Sequence, residues 1–183
     1  MKLQFRIILT IAAIASTVFM IGCEQIDEAN TLITASNKKV EEASTIFTKA
    51  TTDAEALMSQ EVEDLADWKS KNETKAKEVL ANFDKATELY KAAAKDFDEA
   101  AKLKLNDKVK GYVTLKSKQL SKLSEYIAAQ KGGIQAMLNA KDPAGFVAEV
   151  NAIKTKADAL EKETDDLNNQ VKKYEADNKD SIK

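Results

Sequence analysis

The chain has 183 residues, with 32% charged residues, 6% aromatics, five glycines and one proline. That length suits one domain, or one domain with a tether. A mix dominated by Ala, Glu, Lys and Leu points to long helices and away from strands. Lys2 and Arg6 are the charges ahead of Cys23, which leaves 26 lysines against 30 acidic residues and no arginine from there on. An acidic, arginine-free body lacks the side chain best suited to bidentate phosphate contacts, so nucleic acid is excluded as an expected partner.

The first element is a targeting segment. Lys2 and Arg6 supply the positive region, and Ile7 to Ile21 form an apolar stretch interrupted by Thr10, Ser16 and Thr17. Small Gly22 then precedes Cys23, which is secretory signal grammar. A membrane-spanning helix is the competing reading. Fifteen residues at a rise of ~1.5 Å reach only about 22 Å, short of the ~30 Å hydrocarbon core. Residues 1–22 are therefore expected to be a cleaved signal peptide.

Met20-Ile21-Gly22-Cys23 resembles the lipobox of bacterial lipoproteins: an aliphatic residue, a small or aliphatic one, Gly or Ala, then Cys. Met20 stands where leucine is usual. The resemblance covers the first two dozen residues only, and Cys23 is the single cysteine of the chain. It implies a diacylglyceryl group on the Cys23 sulfur, cleavage before Cys23 and acylation of the new amine, so that the partner is a membrane reached through lipid. Two or more acyl chains give stable anchoring. Glu24 follows where the enteric sorting pattern uses Asp for inner-membrane retention. That implies the periplasmic face of the outer membrane in a two-membrane host, and otherwise the outer face of the cytoplasmic membrane. With one cysteine no intrachain disulfide forms, and packing alone must hold the body.

Residues 23–44 are expected to be the lipid anchor and a helical tether, and 45–183 a helical bundle domain. The apolar spacing is that of helices throughout. Ile26, Ala29, Ile33, Val40, Ala43, Phe47, Ala50, Ala54 and Leu57 follow in steps of three and four, with Ser36 in one slot. The register fails at Glu61 and Asp64 and resumes with Met58, Val62 and Leu65, which reads as a stutter. Ser70 to Glu73 has capping-box spacing but no Gly or Pro, so the first two helices are either separate or one rod.

The second run is Ala76, Val79, Phe83, Ala86, Tyr90, Ala93, Phe97 and Ala100. Large residues alternating with alanine favour close antiparallel packing within one chain. Asn106-Asp107 reads as a turn. The third run is Val109, Val113, Leu120, Leu123, Ile127, Ile134 and Met137, with a kink or short break expected at Gly132-Gly133. Asp142 and Pro143 mark a helix start as N-cap and first position. The fourth run is Phe146, Val150, Ile153, Ala157, Leu160, Thr164, Leu167, Val171 and Tyr174. Beyond Tyr174 the polar tail is expected to fray. The fold class is all-α: a long-helix antiparallel bundle of three to four helices with heptad seams.

Catalysis finds no support, and the chain is expected not to be an enzyme and to need no cofactor. It has no histidine, no Gly-rich phosphate loop and no nucleophile elbow. Glu61, Glu63 and Asp64, Asp165 and Asp166, Lys38 and Lys39, and Lys172 and Lys173 read as solvated helix faces, so no metal site is expected. Trp68 and Tyr174 read as core or as markers of a partner surface, with core packing the better fit. The function expected is a membrane-anchored envelope lipoprotein whose non-catalytic bundle binds an envelope protein or acts as a spacer. The alternative is a wall linker. The chain resembles the murein lipoprotein family in its lipidated cysteine, heptad body and terminal Lys183, which in that family is joined to peptidoglycan. It departs from that family in length and in the residues before Lys183.

Overall fold

The computed structural model describes residues 25–60 and 64–182. Four long helices follow one another: α1 (Ile26–Met58), α2 (Leu65–Lys102), α3 (Asp107–Asn139) and α4 (Pro143–Asp177). A single turn, α5 (Lys179–Ile182), ends the described chain. The protein is an all-α bundle, and no strand occurs among the described residues.

Short polar side chains set the helix starts by accepting backbone N–H groups that lack an intrahelical partner. Asp64 Oδ1 accepts from Ala66 N at 2.7 Å and Asp67 N at 3.2 Å. Asn106 Oδ1 accepts from Val109 N at 2.9 Å, and Asp142 Oδ1 from Gly145 N at 2.8 Å. The register slip near Asp64 is thus a helix break, and α1 and α2 are separate elements. The spacing from Ser70 to Glu73 lies inside α2.

Successive helices are antiparallel, as the cross-links show. Lys39, Glu42 and Lys49 on α1 meet Asp96, Lys85 and Glu78 on α2. Asp84 on α2 meets Lys131 on α3 at 2.7 Å, and Lys69 donates to the Ala140 carbonyl at 2.6 Å. On α3, Gln119 bonds Asn168 and Lys122 pairs with Glu163 at 3.0 Å. Each helix lies along its sequence neighbour, and no contact of comparable extent joins α4 to α1 or α2. The array is open on that side.

The seams of the first three helices are the core. Phe47, Phe83 and Tyr126, from three helices, meet with ring centroids 6.0 and 6.4 Å apart in edge contacts. Ser36 fills its seam slot by donating to the Ala93 carbonyl at 2.9 Å. Burial starts at Ile26, Ala29 and Ile33, and α1 passes residue 44 without a break. The described part of the 23–44 segment is therefore a packed strip of the bundle rather than a tether, because its apolar residues continue the same seam. On α4 only every second seam residue is buried: Val150, Ala157, Thr164 and Val171. Phe146, Ile153, Leu160, Leu167 and Tyr174 stay half-exposed, since one neighbouring helix covers one flank of the stripe.

Gly132 and Gly133 do not break α3. A Cβ on Gly132 would sit 3.2 Å from Ile153, so this glycine lets α4 approach. The tail also departs from expectation. Ile182, the one apolar residue past Ala176 in the described chain, is 5% exposed and packs α5 onto α3. Lys108 Nζ donates to Ser181 Oγ at 3.3 Å beside it.

Candidate functional site

Cys23 and Lys183, the two positions with an expected covalent role, lie outside the described residues, as do Glu61 and Glu63. Asp64 serves as a helix cap, while Asp165 and Asp166 are exposed. Among the described residues no group of three carboxylate or thiol side chains is placed to hold a metal ion. Glu161, flanked by Asp158 and Asp165, has its carboxyl pushed up by burial first and then by those two like charges. Lys39 is paired with Asp96 and Lys173 with Asp177, whereas Lys38 and Lys172 stand in solvent.

Trp68 is core, at 4% exposure. Tyr174 lies across Gly111, where an added Cβ would come within 2.2 Å of the phenol oxygen. The Tyr174 hydroxyl donates to the Lys108 carbonyl at 3.0 Å. Because Gly111 offers no side chain, the tyrosine settles onto the backbone of α3 and leaves an open groove next to it. The groove measures about 350 Å³ and is lined by Lys110, Gly111, Thr114, Leu115, Lys118 and Tyr174.

The groove lies in the most basic part of the molecule. From Lys102 to Ser124 the chain holds seven lysines against one acid, Asp107. Sequence reasoning that looked for paired lysines missed this run, because its charges are spread at two- to six-residue spacing. Lys110 and Lys118 are exposed and have no ion pair among the described residues. Lys116 is half-buried between α3 and α4, and that burial holds its amine below the ordinary lysine range, with the nearby Glu175 carboxylate opposing the effect. Ammonium groups beside a half-exposed leucine and tyrosine can hold anionic groups at an apolar–polar boundary.

No protein-family model, curated protein or solved structure matches the chain. Among the described residues no helix is long and apolar enough to cross a membrane. The functional reading therefore rests on the residues themselves.

Proposed function

We propose that this protein is a lipid-anchored lipoprotein of the bacterial cell envelope, with a non-catalytic helical bundle that serves as a partner-binding or spacer module. The observation that carries the reading is Met20-Ile21-Gly22-Cys23 at the end of an apolar stretch, with its cysteine unique in the chain. The start of the bundle supports it. Packing begins at Ile26, so a lipid on Cys23 would join a folded body almost directly.

Geometry favours this reading over a wall linker. Gln25 Oε1 accepts from Lys104 N at 2.6 Å, which ties the start of α1 to the α2–α3 turn. Ser181 lies by Lys108 at that same end. Both ends of the described chain therefore share one end of the bundle. A linker that held membrane and peptidoglycan apart by the length of its body would place its two attachments at opposite ends.

The test is the intact mass of the mature protein and its Cys23→Ala variant. The wild type is expected to begin at Cys23 with a mass increment of lipid size, and the variant to accumulate as an uncleaved or mislocalised precursor. A mature form without the increment overturns the proposal. Digested peptidoglycan is expected to yield no muropeptide joined to Lys183.

A further inference from the structure

We propose that the lysine-rich face of α3 beside α4 docks on the anionic headgroups of the membrane that holds Cys23, a proposal that rests on the lipoprotein reading above. Charge sets this face apart. A chain of net charge −2 concentrates seven lysines against Asp107 between Lys102 and Ser124. Beside the groove itself, the antiparallel stretch of α4 from Leu167 to Tyr174 has no acid and adds Lys172 and Lys173, with Asp165 and Asp166 before it and Glu175 and Asp177 after it. Three of the neighbouring acids are paired, while Asp166 and Asp180 are exposed and have no ion pair among the described residues. Glu163 pairs with Lys122, Asp177 with Lys173 and Glu99 with Lys102. Glu175 opposes the burial of Lys116, and Asp107 sits in the first turn of α3.

Position is the second observation. Gln25 is bonded to the α2–α3 turn at Lys104. In sequence Cys23 is two residues before Gln25, a separation of at most about 7 Å along an extended backbone. Acyl chains on Cys23 would thus enter the membrane where the basic run begins. Lys110, Thr114, Lys118 and Ser121 follow at three- and four-residue spacing and share one stripe of α3. A bundle lying with this stripe toward the bilayer brings the exposed Lys110 and Lys118 to the headgroups, with Lys104 in the adjoining turn. The half-exposed Leu115 and Tyr174 of the groove then meet the interfacial layer, where amphipathic rings are favoured. Attraction of this kind falls off within about one Debye length, roughly 10 Å, so it acts only on a face held close, which is what the anchor provides.

The experiment uses the full lipidated protein, in which Cys23 carries thioether-linked lipid and an introduced cysteine is the one free thiol. Ser121→Cys on the basic stripe and Thr45→Cys on the exposed side of α1 are each labelled with a fluorophore. Both are reconstituted in vesicles containing lipids quenched at the headgroup, of phosphatidylcholine alone or with added phosphatidylglycerol. The label at 121 is expected to be quenched several-fold more than that at 45 when phosphatidylglycerol is present, with the difference lost in high salt. Replacing Lys104, Lys110 and Lys118 together by Gln should bring position 121 down to the level of 45. Equal quenching at the two sites, or no dependence on phosphatidylglycerol, overturns the docking while leaving the anchor intact. A protein whose mass shows no lipid increment overturns the anchor reading, and the docking with it.

Discussion

Tyr90 shows how burial tunes a single side chain in a core that otherwise uses alanine and phenylalanine. It is fully buried, and its phenol is pushed up to about 12 by that burial, with Ser44 easing the shift slightly. Tyr126 reaches about 12 as well, through burial first and then the Glu161 carboxylate on α4. A tyrosine in the unfolded chain ionises near pH 10. Between about pH 10 and 12 the unfolded chain therefore releases protons that the folded one keeps, and stability falls as pH rises through that window. The loss is on the order of 2 kcal/mol for each tyrosine. Tyr90→Phe is expected to leave stability at neutral pH within about 1 kcal/mol of the wild type, since the hydroxyl contributes little there. The variant should lose less stability than the wild type between pH 10 and 12. Urea unfolding across that range is the measurement, and identical slopes for the two proteins would mean that the phenol ionises as freely in the fold as outside it.

At the scale of elements, the glycines of α3 decide how near α4 can come. A glycine in a helix ordinarily costs about 1 kcal/mol relative to alanine, so Gly→Ala usually stabilises. At Gly111 the sign is expected to reverse. The new Cβ would displace the Tyr174 ring and break its bond to the Lys108 carbonyl. Gly111→Ala should cost roughly 1–3 kcal/mol, the usual range for overpacking. In a Tyr174→Ala background the same change should instead stabilise by up to about 1 kcal/mol. A double-mutant cycle by urea unfolding reads this directly, and additive effects would show that the ring does not rest on the glycine. The contact explains what the sequence concealed. The third seam was legible, since Val109, Val113, Leu120, Leu123, Ile127, Ile134 and Met137 are all buried. The purpose of Gly111 and Gly132 was not, because a missing side chain acquires meaning only when another helix fills the gap. The break at Asp64 was half-visible, as a register slip without a glycine or proline to mark it.

At the scale of the whole molecule, periodicity revealed which residues could be buried but not how many neighbours each helix would find. The stripe on α4 is as regular as those on α1, α2 and α3, yet its residues alternate between buried and half-exposed positions. A seam is a property of one helix, whereas closure of a bundle depends on connections and angles that a repeat of three and four does not encode. The candidate site was less legible still, since the basic groove needed the antiparallel register that joins Gly111 to Tyr174. The openness has an energetic consequence. Phe83 is 1% exposed and meets Phe47 edge-on, so Phe83→Ala should cost about 3–5 kcal/mol. Leu160 is half-exposed on a helix with one neighbour, so Leu160→Ala should cost about 1–2 kcal/mol, below the usual range for a fully buried leucine. Opening free energies should follow the same order, because segments with few buried apolar contacts open at lower cost than the global core. Amide hydrogens of α4 are expected to exchange ahead of those in α2, the helix enclosed by α1 and α3. Hydrogen exchange followed by peptide mass analysis distinguishes the outcomes. Slow, uniform exchange across α2 and α4 would mean that α4 is covered in solution on the flank left open here, and Leu160→Ala would then cost as much as Phe83→Ala.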